Sequence, residues 1–213
     1  MLAGGALLVA DALDSPVGEG ARDEAQPAAL GPVATAPAAP TTPTAPGVGS
    51  LPPFAMVLDH PLPPGVAGLD PARQAEELRI RAMGTRNPER FVELGSVMQL
   101  LGDRESAAFS YRSALKFDPE SVGAKVGLAV VDGGSGPGGL TRSAERLNVL
   151  AAAHPRDQLI SFHQAWVAIY RERGQEARAA LERTVSLGRD TRLGRTSSAL
   201  LAALEQIKIV PNP

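Results

Sequence analysis

The hydrophobic positions between residues 88 and 121 form two short stripes. Residues spaced by three and four positions share one face of an α-helix. Asn87 and Pro88 are a typical helix start, because Asn caps the first turn and proline lacks only an N–H that a helix leaves unpaired. Gly102 separates the stripes and suits the end of a helix. The pattern therefore predicts two amphipathic helices joined by a tight turn. The first stripe is Phe91, Leu94, Met98 and Leu101, and the second is Ala107, Ala108, Tyr111, Ala114 and Leu115.

The same arrangement recurs further along the chain. Pro119 ends the first predicted hairpin, and Pro155, 36 positions later, ends a second. Thr141 is the predicted cap of the second helix of that hairpin. Such hairpins cannot bury their apolar faces alone and need copies stacked on them. The predicted elements are an N-terminal helix over 70–83 with Ala75, Leu78, Ile80 and Met83 available for burial, hairpins over 88–121, 122–155 and 157–187, and a closing helix over 190–207.

Eight residues of the first hairpin carry a family likeness. They are Phe91, Leu94, Gly95, Gly102, Ala107, Tyr111, Ala114 and Pro119. These residues fall where the 34-residue tetratricopeptide repeat (TPR) pattern has a bulky residue, Leu, Gly, Gly, Ala, an aromatic residue, Ala and Pro. The chain therefore resembles the TPR family. The resemblance implies an all-α, TPR-like solenoid of helical hairpins, with about three repeats, an N-terminal half-repeat and a C-terminal capping helix.

The residues before Asp70 differ in composition from the rest of the chain. They hold 12 of the 19 prolines, six carboxylates and one basic residue, whereas the remainder holds 17 acidic and 20 basic residues. Ala25 to Leu58 carries no charge and too little large apolar surface to offset chain entropy, which is typical of a disordered or extended tether. We therefore divide the chain into a low-complexity tail over 1–69 and a helical repeat domain over 70–209.

The first 13 residues leave two alternatives open. Leu2 to Ala10 is apolar, but a bilayer span needs about 20 such residues. The stretch is either a terminus without a role or the end of a longer membrane anchor. The anchor implies a bacterial-type, membrane-tethered, extracytoplasmic protein, and its absence implies a cytoplasmic one.

The stretch from Leu51 to Gly68 is more apolar than a pure tether. We expect Phe54, Met56, Val57 and Leu58 to dock on the folded domain as an extended segment. His60 lies between Asp59 and Pro61, and a lone histidine in a turn indicates a structural role.

The sequence contains no recognisable catalytic or cofactor-binding constellation. It has no cysteine, and His60, His154 and His163 are scattered. The glycine-rich stretch over 132–139 is predicted to be a long inter-helix loop. It lacks the Lys of a phosphate loop, because Leu140 stands in its place ahead of Thr141. The charge balance is too nearly neutral to indicate nucleic acid as the partner. We therefore expect neither an enzyme nor a bound cofactor or metal.

The remaining prediction is a protein-binding module. The first helices of the hairpins line the concave face of such a stack, where a peptide or a helix of a partner binds. The candidate partner-binding residues on these helices are Val92, Ser96, Gln99, Lys125, His163, Trp166 and Tyr170. We expect core packing for at least two of the aromatic-region residues Phe162, His163, Trp166 and Tyr170.

Three functions remain open at this point. The first is a scaffold or adaptor, tethered at a membrane if the anchor alternative holds. The second follows from a looser likeness, over about 88–205, to the TPR subunit of bacterial c-type cytochrome maturation systems, which implies a chaperone that holds the helix or tail of an exported cytochrome. The third is a structural subunit packed in a larger assembly, with the proline-rich strip wound along a neighbour.

Overall fold

The computed structural model describes residues 54–133 and 137–209. The tether and the anchor alternative therefore lie outside the described residues, apart from positions 54–69. The described chain forms eight helices and no strand: α1 Pro71–Thr85, α2 Pro88–Leu100, α3 Arg104–Phe117, α4 Val122–Gly133, α5 Pro137–Ala153, α6 Gln158–Tyr170, α7 Gly174–Leu187 and α8 Arg192–Ile209. Three hairpins, α2/α3, α4/α5 and α6/α7, follow α1, and α8 closes the stack.

The hairpins stack as the sequence predicts. Each helix packs against the next one along the chain, and the first helices α2, α4, α6 and α8 contact one another in a row. The all-α, helical-hairpin solenoid is therefore confirmed. Residues 54–69 precede α1 and belong to the same compact unit as the helices.

Tyr111 joins the first two hairpins. Its fully buried ring lies against Gly95 of α2 and Gly127 of α4. A Cβ on Gly95 would lie 2.6 Å from Cε1 of this ring, so only glycine lets the ring fit there. The Tyr111 hydroxyl donates a hydrogen bond of 2.7 Å to Oε1 of Gln99. Burial raises the pKa of Tyr111 well above its ordinary value, so the hydroxyl stays protonated and remains a donor.

Helix α1 buries a narrower stripe than predicted. Ala75 and Leu78 are buried, but Ile80 is 60% exposed and Met83 is 68% exposed, so the expectation that they are buried is wrong. The reason is that α2 is the one described helix that α1 packs on, and Val66 of the preceding segment covers Ala75 and Leu78. Ile80 and Met83 line a cavity of about 440 Å³ over α2, whose opposite wall includes Phe109 of α3.

The second hairpin has a shorter connection than predicted. Helix α5 begins at Pro137, so Thr141 lies inside the helix and is not its cap. Only residues 134–136 separate α4 from α5, in place of a long loop over 132–139. Two helix ends approach closely here, because a Cβ on Gly139 would lie 2.8 Å from the carbonyl oxygen of Asp132. Glycine at this position permits the short connection.

Two turns offer a matched stability test. Gly102 follows α2 with a φ of +79°, and Glu172 follows α6 with a φ of +59°. The left-handed conformation costs a side-chain-bearing residue about 1 kcal/mol. We expect Gly102→Ala to lower the free energy of unfolding by about 1 kcal/mol, since the position is open and only φ is strained.

We expect Glu172→Gly to raise the free energy of unfolding by about 0.5 kcal/mol, because glycine's extra freedom in the unfolded chain offsets part of the relief of strain. Urea denaturation measures both, and equal effects of the same sign would contradict this account.

Candidate functional site

One face of the stack, formed by α2, α4, α6 and α8, is covered by the chain's own residues 54–60. We call these residues the inner segment, and the surface of α2, α4, α6 and α8 that holds it the groove. Residues 54–58 run without helix or turn before a bend at 59–60. The expectation that Phe54, Met56, Val57 and Leu58 dock on the folded domain is therefore confirmed.

The backbone of the inner segment is held from two helices. The Met56 N–H donates to Oε1 of Gln99 at 3.2 Å, and the Met56 carbonyl accepts from the Ser96 hydroxyl at 3.0 Å. Both partners lie on α2. The next residue, Val57, donates its N–H to Nε2 of His163 on α6 at 3.0 Å. Three side chains thus satisfy consecutive main-chain groups, which fixes the position of the segment along the groove.

Nε2 of His163 can accept the hydrogen bond from Val57 because the proton of the neutral ring is on the other nitrogen, Nδ1. The ring is fully buried, and Nδ1 lies 2.8 Å from the carbonyl oxygen of Leu159. A carbonyl only accepts, so Nδ1 carries the proton and Nε2 is the acceptor for Val57. Burial lowers the pKa of His163 from 6.5 to about 4, against smaller opposing effects of the Leu159 carbonyl and Asp59. The imidazole is therefore neutral at neutral pH.

The apolar side chains of the inner segment are part of the core. Ala55, Met56 and Leu58 are buried, and Met56 and Leu58 belong to the same apolar cluster as Val92. The Phe54 ring packs edge-on against Tyr170, with ring centroids 4.9 Å apart. The groove therefore holds the segment by side-chain burial as well as by main-chain hydrogen bonds.

The end of the inner segment is held by charged groups. Glu93 is buried, and both its oxygens accept from Arg90, at 2.6 and 2.8 Å. Nε2 of His60 lies 3.3 Å from Oε1 of Glu93, and the His60 carbonyl accepts from Arg192 of α8 at 2.7 Å. Glu89, His60 and Glu93 offer ligand atoms within 4.8 Å of one another, and Arg90 donates to both Glu93 oxygens. Glu93 and Arg90 therefore form an ion pair against which the His60 ring lies.

The predicted partner-binding residues divide into three groups. Val92, Ser96, Gln99, His163 and Tyr170 border the inner segment. Trp166 lies in the core between Phe162 and Tyr170, with ring centroids at 6.0 and 5.4 Å. Lys125 is paired elsewhere, with Nζ 3.0 Å from Oε2 of Glu120 in the turn before α4. Sequence reasoning missed Glu93 and Arg192, because only the bend at His60 brings them to the segment.

The comparisons with known proteins add no family. No protein-family model and no curated protein matches the sequence. Membership in the TPR family therefore stays a prediction that rests on the residues of the first hairpin.

Among the described residues, no helix combines the length and the hydropathy needed to cross a membrane.

Proposed function

We propose that this protein is a non-catalytic protein-interaction module, TPR-like in character, that holds a segment of a partner protein in its concave groove. The observation that carries the proposal is that the groove already binds one segment of the chain, through main-chain hydrogen bonds to Ser96, Gln99 and His163. Main-chain hydrogen bonds supply affinity for an added peptide, and side-chain pockets supply its specificity. As an adaptor, the module would link that partner to whatever its N-terminal tail is attached to, including a membrane.

The observed occupant favours the adaptor over the structural subunit. The structural-subunit alternative places the proline-rich strip on a neighbour, whereas residues 54–60, which follow that strip, pack on the helices of their own chain. The occupant is not helical, so a cytochrome-maturation chaperone of the kind considered above would have to hold a tail of its partner and not a helix.

Selection of a random-peptide library against the full chain tests the proposal. In a chain whose inner segment is released by Met56→Asp, so that it no longer competes, peptides that bind the groove are expected to lose at least about tenfold in affinity when Ser96→Ala and Gln99→Ala are added, since each lost hydrogen bond costs about 1 kcal/mol. Glu105→Ala, at an exposed position of α3, is the matched control and leaves the affinity unchanged. Selected peptides that are indifferent to the groove variant, or that respond to the control, would contradict the proposed site.

A further inference from the structure

We infer that residues 54–60 are an internal ligand, and that the partner segment is an extended apolar peptide of the same chemistry that enters by displacing them. This inference rests on the proposed function and names the ligand class of the same groove. The partner would present bulky apolar side chains at the positions of Phe54, Met56 and Leu58.

The main-chain contacts can be reproduced by any extended peptide. The groups that Ser96, Gln99 and His163 bind are the N–H and C=O of Met56 and the N–H of Val57. Every non-proline residue carries these groups. A competing segment therefore recovers all three hydrogen bonds, provided that it is extended and has no proline at these positions. A helical ligand would keep these groups in its own hydrogen bonds and leave Ser96, Gln99 and His163 unpaired.

The side-chain requirement follows from two glycines that line the groove. A Cβ on Gly133 would lie 2.7 Å from Cε1 of Phe54, so glycine there leaves room for a large ring. A Cβ on Gly123 would lie 3.3 Å from Cγ1 of Val92, so glycine there eases the packing of Val92, which shares the apolar cluster of Met56. The groove thus has space for a large ring at the first position of the ligand, and Met56 itself shows that the third position buries a bulky side chain. Alternate residues of an extended chain point to the same side, so the fifth position, Leu58, shares this face.

The approach to the inner segment carries positive charge. A cavity of about 660 Å³ borders Met56, Val57 and Leu58, and its lining includes Arg192 and Arg195 of α8. Arg192 donates to the main-chain carbonyl of His60 at 2.7 Å. Every residue carries such a carbonyl, so an incoming extended segment recovers this hydrogen bond as well.

The short connection makes the internal ligand an effective competitor. Residues 61–70 join the inner segment to α1, and such a tether gives an effective concentration in the millimolar range. If the inner segment itself has an intrinsic dissociation constant of about 10 µM, every groove peptide binds the intact chain about 100-fold more weakly than a chain whose inner segment is displaced. Weak groove ligands therefore do not bind the intact chain at concentrations at which they would bind the released one.

Peptide binding to full-length variants tests the inference. The probe is a fluorescent peptide with the sequence of residues 53–61. Met56→Asp places a carboxylate at a buried position of the inner segment and is expected to release it. Fluorescence anisotropy should then show about 100-fold tighter binding of the probe to the Met56→Asp chain than to wild type. Pro64→Asp, at an exposed position of the connection, is the matched control and should bind as wild type does. A probe that carries Met56→Asp itself should bind neither chain.

The binding experiment separates a wrong internal-ligand inference from a wrong proposed function. If the folded Met56→Asp chain binds an amphipathic helical peptide and not the probe, the internal-ligand inference falls and the proposed function stands. If it binds neither peptide, both fall. If Met56→Asp unfolds, a specific protease site inserted between Pro64 and Gly65 replaces it. After cleavage, unlabelled probe is expected to release the N-terminal fragment on size exclusion, and a fragment that stays bound at saturating probe would overturn the inference.

Discussion

Ala107→Glu is expected to unfold the helical domain. Ala107 is fully buried on α3 and belongs to the main apolar core with Phe91 and Tyr111. A glutamate there would bury a carboxylate without a partner and overfill a close helix contact. Leaving an uncompensated charge in a core costs about 3–5 kcal/mol, a large part of the stability of a typical domain. Circular dichroism during heating should show loss of the cooperative transition, or a melting temperature lowered by tens of degrees.

A matched control lies two residues further along the same helix. Phe109 is 62% exposed, so Phe109→Glu adds the same charge to α3 without burying it. We expect its melting temperature to stay within a few degrees of wild type. An Ala107→Glu chain that melts as cooperatively as this control would show that α3 does not pack by the face described above.

Acidification is expected to destabilise the protein through His163. Its pKa is lowered from 6.5 to about 4 in the folded state by burial. Above pH 6.5 the ring is neutral in both the folded and the unfolded chain, and the stability is complete. As the pH falls from 6.5 to 4, the unfolded chain takes up a proton that the folded chain resists, so the free energy of unfolding falls. The loss approaches about 3 kcal/mol near pH 4.

Urea denaturation across this pH range, on wild type and on His163→Gln, measures the effect. Glutamine does not titrate, so the difference between the two chains isolates His163 from the carboxylates that titrate in the same range. Protonation also turns the Nε2 acceptor into a donor that faces the Val57 N–H, so the protection of the Val57 amide, measured relative to its intrinsic exchange rate at each pH, should fall before the helices unfold. Parallel pH profiles of the two chains would rule out this role of His163.

The helices could be predicted because their signals are local. Asn87 caps α2 by accepting from the N–H of Glu89, and Asp157 caps α6 by accepting from the N–H of Ile160, as their positions in the sequence indicate. Capping and three- to four-residue spacing involve neighbours within one or two turns. The hairpin repeat extends the same local signal, so the order of the elements followed too.

The burial of a side chain was harder to predict where it depends on the neighbouring helix. Ile80 and Met83 have the apolar character of core residues, but the gap between α1 and α3 leaves them exposed. Glu93 shows the reverse case, a carboxylate that is buried because Arg90 pairs with it. Spacing within a helix identifies an apolar face, and only the neighbouring helices determine how much of that face is covered.

The content of the groove is a property of the tertiary structure alone. Local spacing and capping were sufficient to determine a stack of helical hairpins with a concave face, and the apolar strip before α1 indicated a docked segment. They could not place that segment, because Met56 meets Gln99 across 43 positions and Val57 meets His163 across 106. These residues come together only after α2 and α6 have stacked, and this stacking creates the groove that residues 54–60 fill.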